Sequence, residues 1–256
     1  MSAIPPSFWK TLPLGAAAAV LGHDSNGLGA LAKPAGVLSH PNEDDAENAR
    51  ALLGAEYDHT AECYTWKDTA SGDVRRLWLL NRLDSSTSGV ILVAADGKLA
   101  ADVKAQFQRK AIAKTYVALV FGFPRVPCEV WRDRLAVERK GGVVRSSAAG
   151  GHIPAESECR VLRGSRGAQP LTLLELKPHT GRTHQLRVQC AKRHLPIVGD
   201  QTYGDFRRNR EFAKATKEKR MFLHSLETKV SYRWNGRDWS FAAKAEVPAE
   251  FAAALG

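Results

Sequence analysis

Apolar and polar positions alternate along much of this chain, and the breaks in that pattern mark its elements. Ala18 to Gly22 and Leu28 to Lys33 are apolar runs on either side of Asp24-Ser25-Asn26-Gly27. They predict a hairpin that Pro34-Ala35-Gly36 ends. From Asn42 the pattern is helical, with Asn42 as cap, Glu43, Asp44, Asp45 and Glu47 at the positive end of the dipole, and Gly54 as the stop. Carboxylates so placed are capping devices, which makes Asp44 and Asp45 poor catalytic candidates. Leu77 to Leu80 and Val90 to Ala94 are continuous apolar runs, the second of the kind buried on both faces. Asp96 then caps a helix on which Leu99, Val103 and Phe107 recur every fourth residue.

In the strand Lys114 to Gly122, Tyr116, Ala118 and Val120 share one face, and Thr115, Val117, Leu119 and Phe121 the other. Glu138 to Val144 reads as a hairpin tip and Ser146 to Gly151 as a loop. Glu156 to Leu162 and Leu171 to Lys177 alternate as a pair of strands. Pro178-His179-Thr180-Gly181 turns the chain into a helix from near Thr183 to Pro196 that buries Leu186 and Cys190. Phe222 to Tyr232 and Asp238 to Ala243 form an antiparallel pair around Trp234-Asn235-Gly236-Arg237. The pattern contains no internal repeat and no low-complexity linker, so a single domain over residues 1–256 is the simplest expectation.

Composition adds a partner. With 44% hydrophobic residues the chain can bury a substantial core, and its net charge of +10 points to a polyanion, nucleic acid ahead of a membrane surface. From Arg207 to Arg220, Arg207, Arg208, Arg210, Lys214, Lys217, Lys219 and Arg220 stand against only Glu211 and Glu218, so half of the net charge falls in these fourteen residues, within a basic segment at 205–221. A solvated helix with Phe212 and Ala213 on its buried side is the plain reading. No apolar run approaches the roughly 20 residues of a membrane-spanning helix. Leu12 to Gly22 is too rich in alanine, and too interrupted by Pro13 and Gly15, for a signal-peptide core. Cys63, Cys128, Cys159 and Cys190 lie far apart without metal-ligand spacing and read as buried thiols in a reducing compartment, the cytoplasm. No metal site is expected.

One stretch resists a purely structural reading. Between Leu79-Leu80 and Val90-Ile91, the residues Asn81-Arg82-Leu83-Asp84-Ser85-Ser86-Thr87-Ser88-Gly89 form a polar knot bracketed by core. The residues alone favour a turn in which Asp84 and the serines bond their own backbone. The sharper alternative is a carboxylate held at the floor of a cleft, with Arg82 and hydroxyls around it.

Arg82-Leu83-Asp84 with Thr87-Ser88-Gly89 resembles the central motif of RNA pseudouridine synthases of the RluA type, H-R-L-D-x-x-T-S-G, with Asn81 where that family usually has His. Four more blocks follow the family's order. Lys33-Pro34-Ala35-Gly36 resembles its K-P-x-G, and Lys114-Thr115-Tyr116-Val117-Ala118 its K-x-Y-x-A. Gly181-Arg182-Thr183-His184-Gln185-Leu186-Arg187 resembles G-R-T-H-Q-x-R, and Pro196-Ile197-Val198-Gly199-Asp200 with Tyr203-Gly204 resembles its P-I-x-G-D stretch. The joint match is specific, whereas K-P-x-G or K-x-Y alone would carry little.

The resemblance implies an α+β fold: a mixed, mostly antiparallel sheet with flanking helices, a central catalytic cleft and no S4-like appendage. It implies isomerisation of uridine to pseudouridine in structured ribosomal or transfer RNA, without cofactor or metal, by a monomer. Asp84 would be the catalytic carboxylate, as nucleophile at ribose C1′ or uracil C6 or as a base toward the sugar. Arg187, with Arg182 as second choice, would pair with it, and Tyr116 would stack on the base. Arg82 would fill the space left by the flipped uridine. Lys33, Lys114, Arg182, His184, Gln185, Arg207, Arg208 and Arg210 would contact RNA. Two other functions compete. One is an inactive RNA-binding or ribosome-assembly protein, which only Asn81 favours. The other is an Asp-dependent hydrolase or glycosidase, which would want a second carboxylate that the motifs lack.

Overall fold

The computed structural model describes residues 4–42, 50–69, 71–109, 111–140, 143–147, 151–167 and 169–256. In chain order these form α1 (Pro6–Lys10), β1 (Ala19–His23), β2 (Leu28–Lys33), β3 (Glu56–Asp58), β4 (Cys63–Lys67), β5 (Val74–Leu79), β6 (Ser88–Ala94) and α2 (Gly97–Gln108). Next come β7 (Ala113–Phe121), β8 (Cys128–Lys140), β9 (Val143–Ser147), β10 (Ile153–Ser165), β11 (Leu171–Pro178), α3 (Gln185–Lys192) and α4 (Phe206–Thr216). β12 (Leu223–Trp234), β13 (Arg237–Lys244) and α5 (Ala249–Ala253) come last. The chain divides into two compact units, Met1–Ile112 with Glu227–Ala245, and Ala113–Leu226 with Glu246–Gly256.

In the first unit the strands pair in the order β3, β4, β5, β6, β2, β1, every pairing antiparallel, and β12 pairs β13 in its own hairpin. All seven residues of β6 are buried, and their alternation sends Val90, Leu92 and Ala94 to one core and Ile91 and Val93 to another. Each of the larger side chains, Val90, Ile91, Leu92 and Val93, contributes about 1.5–3 kcal/mol when fully buried, so β6 anchors the residues that precede it. The expected hairpin is present. Asp24 Oδ1 accepts from the amides of Asn26 (2.9 Å) and Leu28 (3.0 Å), which bends the chain between β1 and β2. Asp96 caps α2 by accepting from Lys98 and Leu99. α1 was not legible in the pattern; its Trp9 lies so close to Gly29 that a Cβ there would stand 2.3 Å from the indole.

The second unit pairs β9, β8, β10, β11 and β7, again all antiparallel. The two faces of β7 divide as expected. Ala118 and Val120, with Tyr116 packed beside them, join Leu186 and Cys190 of α3, while Val117, Leu119 and Phe121 join Phe212 of α4 and Phe251 of α5. The fold is therefore α+β with mostly antiparallel sheets and a few flanking helices.

Some expectations change. The helix expected from Thr183 to Pro196 is only Gln185–Lys192, because His184 (φ 53°) and His194 (φ 57°) adopt left-handed conformations that end it on both sides. Ser146, expected in a loop, lies in β9. Cys63, Cys159 and Cys190 are buried, but Cys128, at the first residue of β8, is exposed. The helix expected after Asn42 falls at 43–49, outside the described residues, and Ala51 to Gly54 are not helical.

Candidate active site

In the first unit the polar knot is a turn fixed from three sides. Beyond β5, Leu80 N–H donates to Leu92 O (3.0 Å), and Asn81 Oδ1 accepts from Leu92 N–H (2.8 Å), so the Asn81 side chain takes a position in the strand ladder. Ser39 Oγ clasps Leu83 twice, donating to its carbonyl (2.9 Å) and accepting from its amide (3.0 Å). Thr87 N–H donates to Asp84 O (3.0 Å), closing the turn through the backbone of Asp84. The Asp84 side chain is half-buried. The turn favoured by the residues is thus real, and it holds the carboxylate at a set place.

The third support is Lys33. This lysine, expected at the RNA, is only 1% exposed, and its ammonium donates to Pro34 O (3.0 Å), Val37 O (2.6 Å) and Ser85 O (2.9 Å). Three donors meet three carbonyls, which leaves the ammonium no hydrogen to offer a phosphate. Gly36 N–H adds a bond to Ser85 O (2.8 Å), at a φ of 86° that suits glycine. Lys33-Pro34-Ala35-Gly36 therefore underpins the residue next to Asp84. Arg82 is exposed, and its Nη1 donates to His40 Nε2 (3.1 Å).

In the second unit β7 carries Lys114 and Tyr116, both half-buried. Burial holds the Lys114 ammonium below the usual lysine range, and among the described residues it has no hydrogen bond or ion pair. Its Nζ lies near Gly181, where a Cβ would stand 3.5 Å away. The loop of Gly181 and Arg182 is organised by Gln185, 4% exposed. Its Oε1 accepts from Thr180 Oγ1 (2.6 Å) and Arg182 N–H (3.1 Å), and its Nε2 donates to Glu156 O (3.0 Å) and Ser157 Oγ (2.9 Å). Gln185, like Lys33, is buried scaffolding. Arg182 is exposed, with Nε donating to Pro154 O (3.2 Å).

Arg187 is 7% exposed, which excludes an open phosphate-binding face. Its Nε and Nη2 donate to the two oxygens of Asp200, each at 2.7 Å, and its guanidinium lies 5.0 Å above the Tyr203 ring. Burial pushes the Asp200 carboxyl up, but the bonds and charge of Arg187 and the amides of Tyr203 and Thr202 outweigh it and hold it below the usual carboxylate range. Tyr203 Oη accepts from Ser146 N–H (2.8 Å) and lies 2.9 Å from His184 Nδ1. The glycines of this stretch are required. A Cβ on Gly199 (φ 79°) would stand 1.9 Å from Arg220 O, and one on Gly204 2.1 Å from Asp200 O. Asp200 and Tyr203 lie in a motif the sequence displays, yet no role attached to them there; an acid in the same ordered set of motifs as a buried arginine was the available signal.

The basic segment splits in two. Asp205 caps α4 by accepting from Arg208 N–H (3.0 Å), and Phe212 and Asn209 face inward. Arg208 lies 4.3 Å over the Phe121 ring and donates to Pro170 O (3.3 Å), and Arg220 pairs with Glu250 (3.5 Å). Arg207, Arg210, Lys214, Lys217 and Lys219 are exposed.

Residues 28–192 match the family model described as RNA pseudouridylate synthase. The chain belongs to this family. Within the RNA pseudouridylate synthases it is 30% identical to tRNA pseudouridine synthase C of Vibrio cholerae, over 80% of this chain and 82% of that protein. It is 35% identical to ribosomal large subunit pseudouridine synthase C of Vibrio parahaemolyticus, over 63% of this chain but 49% of that protein. The chain thus spans about half the length of that relative. The human RNA pseudouridylate synthase domain containing 4 superposes with a TM-score of 0.64 at 23% identity, covering 97% of this chain and 94% of that one, which shows the shared fold. Among the described residues no cluster of His, Cys, Asp or Glu is arranged to hold a metal ion, and no helix is long and apolar enough to cross a membrane.

Proposed function

We propose that this protein isomerises uridine to pseudouridine within structured ribosomal or transfer RNA, with Asp84 as the catalytic carboxylate. The observation that carries the reading is Asp84 itself: a half-buried carboxylate in the family's central motif, on a turn clamped by Lys33 and Ser39. The reaction breaks the bond from ribose C1′ to uracil N1, rotates the base and forms a bond from C1′ to C5. The C5 proton leaves, and N1 ends protonated, so nothing is added or removed overall. Asp84 supplies the electron pair, to C1′, to C6 or to a sugar proton. Arg187, held rigid by Asp200, keeps Asp84 ionised and oriented, with Arg182 as the second choice.

Tyr116 stacks on the uracil, and Arg82 occupies the space left by the flipped nucleotide. Lys114, Arg182, His184 and the exposed cations of α4 meet the RNA. For Lys114 a phosphate would supply the counter-charge it lacks among the described residues. Lys33, Gln185 and Arg208 act through the loops and core they hold. The protein works as a monomer in the cytoplasm. The Asn81 side chain, serving the β5–β6 ladder, gives no reason to read the site as inactive. The test is an RNA transcript tritiated at uridine C5. Tritium released to water with no free uracil supports isomerisation, free uracil would mark a hydrolase, and neither would mark a binding protein.

A further inference from the structure

Arg82 is an exposed guanidinium that, among the described residues, faces no carboxylate within ion-pair distance; its hydrogen-bond partner is an imidazole. We propose that His40 is a positioning residue for Arg82, which it holds toward RNA only while its own ring is neutral. The inference rests on the reading of Arg82 as an RNA contact.

The geometry fixes the tautomer. His40 Nδ1 lies 2.8 Å from Pro41 O, which can only accept, so Nδ1 carries the hydrogen. Nε2 lies 3.1 Å from Arg82 Nη1, which can only donate, so Nε2 is bare. Protonation would put an N–H where the guanidinium needs a lone pair, and a second positive charge beside the first. Arg82 would then leave its position. The ring itself is immobilised: it stacks on Tyr57 (centroids 5.0 Å apart, 8° between planes), with His59 edge-on at 5.4 Å.

The surrounding groups favour the neutral ring. Burial pushes the His40 pKa down from the ordinary value, the carbonyl of Pro41 opposes this, Arg82 and His59 add to the lowering, and Glu62 opposes it. Burial raises the Tyr57 phenol well above its ordinary range, so it adds no negative charge that would favour imidazolium. His40 is therefore neutral at pH 7.5 and gains its proton on acidification below the usual histidine range. RNA recognition through Arg82 should weaken there.

The test compares wild type, His40→Phe, His40→Gln and Arg82→Ala on one RNA transcript from pH 5.5 to 8, reading KM, kcat and the unfolding midpoint. His40→Phe keeps a ring against Tyr57 but loses the acceptor, and should raise KM at pH 7.5 by about tenfold, the order of one hydrogen bond to a charged group, with little change in midpoint. His40→Gln supplies an amide oxygen and should restore KM while removing its rise at acid pH. Arg82→Ala should raise KM to the same degree and make it insensitive to His40. An unchanged KM in His40→Phe beside a raised one in Arg82→Ala would overturn the inference and leave the role of Arg82 standing. An unchanged KM in Arg82→Ala would remove both, whereas tritium release by the wild type judges the proposed activity separately. If His40→Phe does not fold, 15N spectra of the wild-type imidazole decide. A bare Nε2 at pH 7.5, with a titration midpoint that rises in Arg82→Ala, supports the inference, and a hydrogen on Nε2 overturns it.

Discussion

Arg187 and Asp200 form a two-point ion pair, Nε to Oδ2 and Nη2 to Oδ1, in which the arginine is 7% and the aspartate 1% exposed. A pair so deeply buried is costly to break from one side, since the remaining charge loses a two-point partner at a place shielded from water.

Asp200→Ala should therefore destabilise the protein by about 3–5 kcal/mol, measured by urea unfolding at pH 7.5. The pH dependence has a definite sign. Arg187 and the amides hold the folded Asp200 carboxyl below its unfolded value near 3.9, so the contribution is complete above about pH 5 and is lost as pH falls through 3.9 toward the folded value. The gap in stability between wild type and Asp200→Asn should narrow below about pH 4. A gap of constant size from pH 7 to 3 would contradict the assignment.

Lys33→Met should leave Pro34 O and Val37 O without their buried donor, and Ser85 O with the Gly36 amide but not the ammonium. At about 1–3 kcal/mol for each unsatisfied carbonyl, the loss should reach about 2 kcal/mol or more, and turnover should fall because the residue next to Asp84 is held less firmly. Wild-type stability in this variant, seen by the same unfolding measurement, would mean that the ammonium does not clamp the turn.

The cations of α4 should separate by role. Replacing exposed Arg207, Arg210 and Lys214 together by Gln should reduce the slope of log RNA affinity against log salt by about 2 units if all three meet phosphates, at roughly 0.7 for each single-strand phosphate. The unfolding midpoint should not change. Arg208→Gln should do the reverse, lowering stability by about 1 kcal/mol through lost contact with Phe121 and leaving the salt slope intact. An unchanged slope in the triple variant would confine RNA binding to other surfaces.

The sequence showed what is local and periodic. The β1–β2 hairpin follows from Asp24 to Gly27, and the burial of β6 on both faces from an unbroken apolar run, because each depends on neighbours within a few residues. Side-chain partners set by tertiary contact did not show. Lys33 reaches Ser85, 52 residues away, and Asn81 reaches the Leu92 amide across a strand pair. α3 is shorter than the pattern suggests because His184 and His194 adopt left-handed backbone conformations, uncommon outside glycine, that apolar periodicity does not register. Arg208 reads as one cation among seven, and only the ring of Phe121 beneath it sets it apart.

Asp84→Asn shows whether Asp84 does the chemistry, since the amide keeps the size and polarity of the side chain but not its nucleophilicity. Tritium release from C5-labelled transcript should fall to background in this variant, with unfolding midpoint and RNA affinity as in wild type. Substantial tritium release by a folded, RNA-binding Asp84→Asn protein would mean that another group does the chemistry.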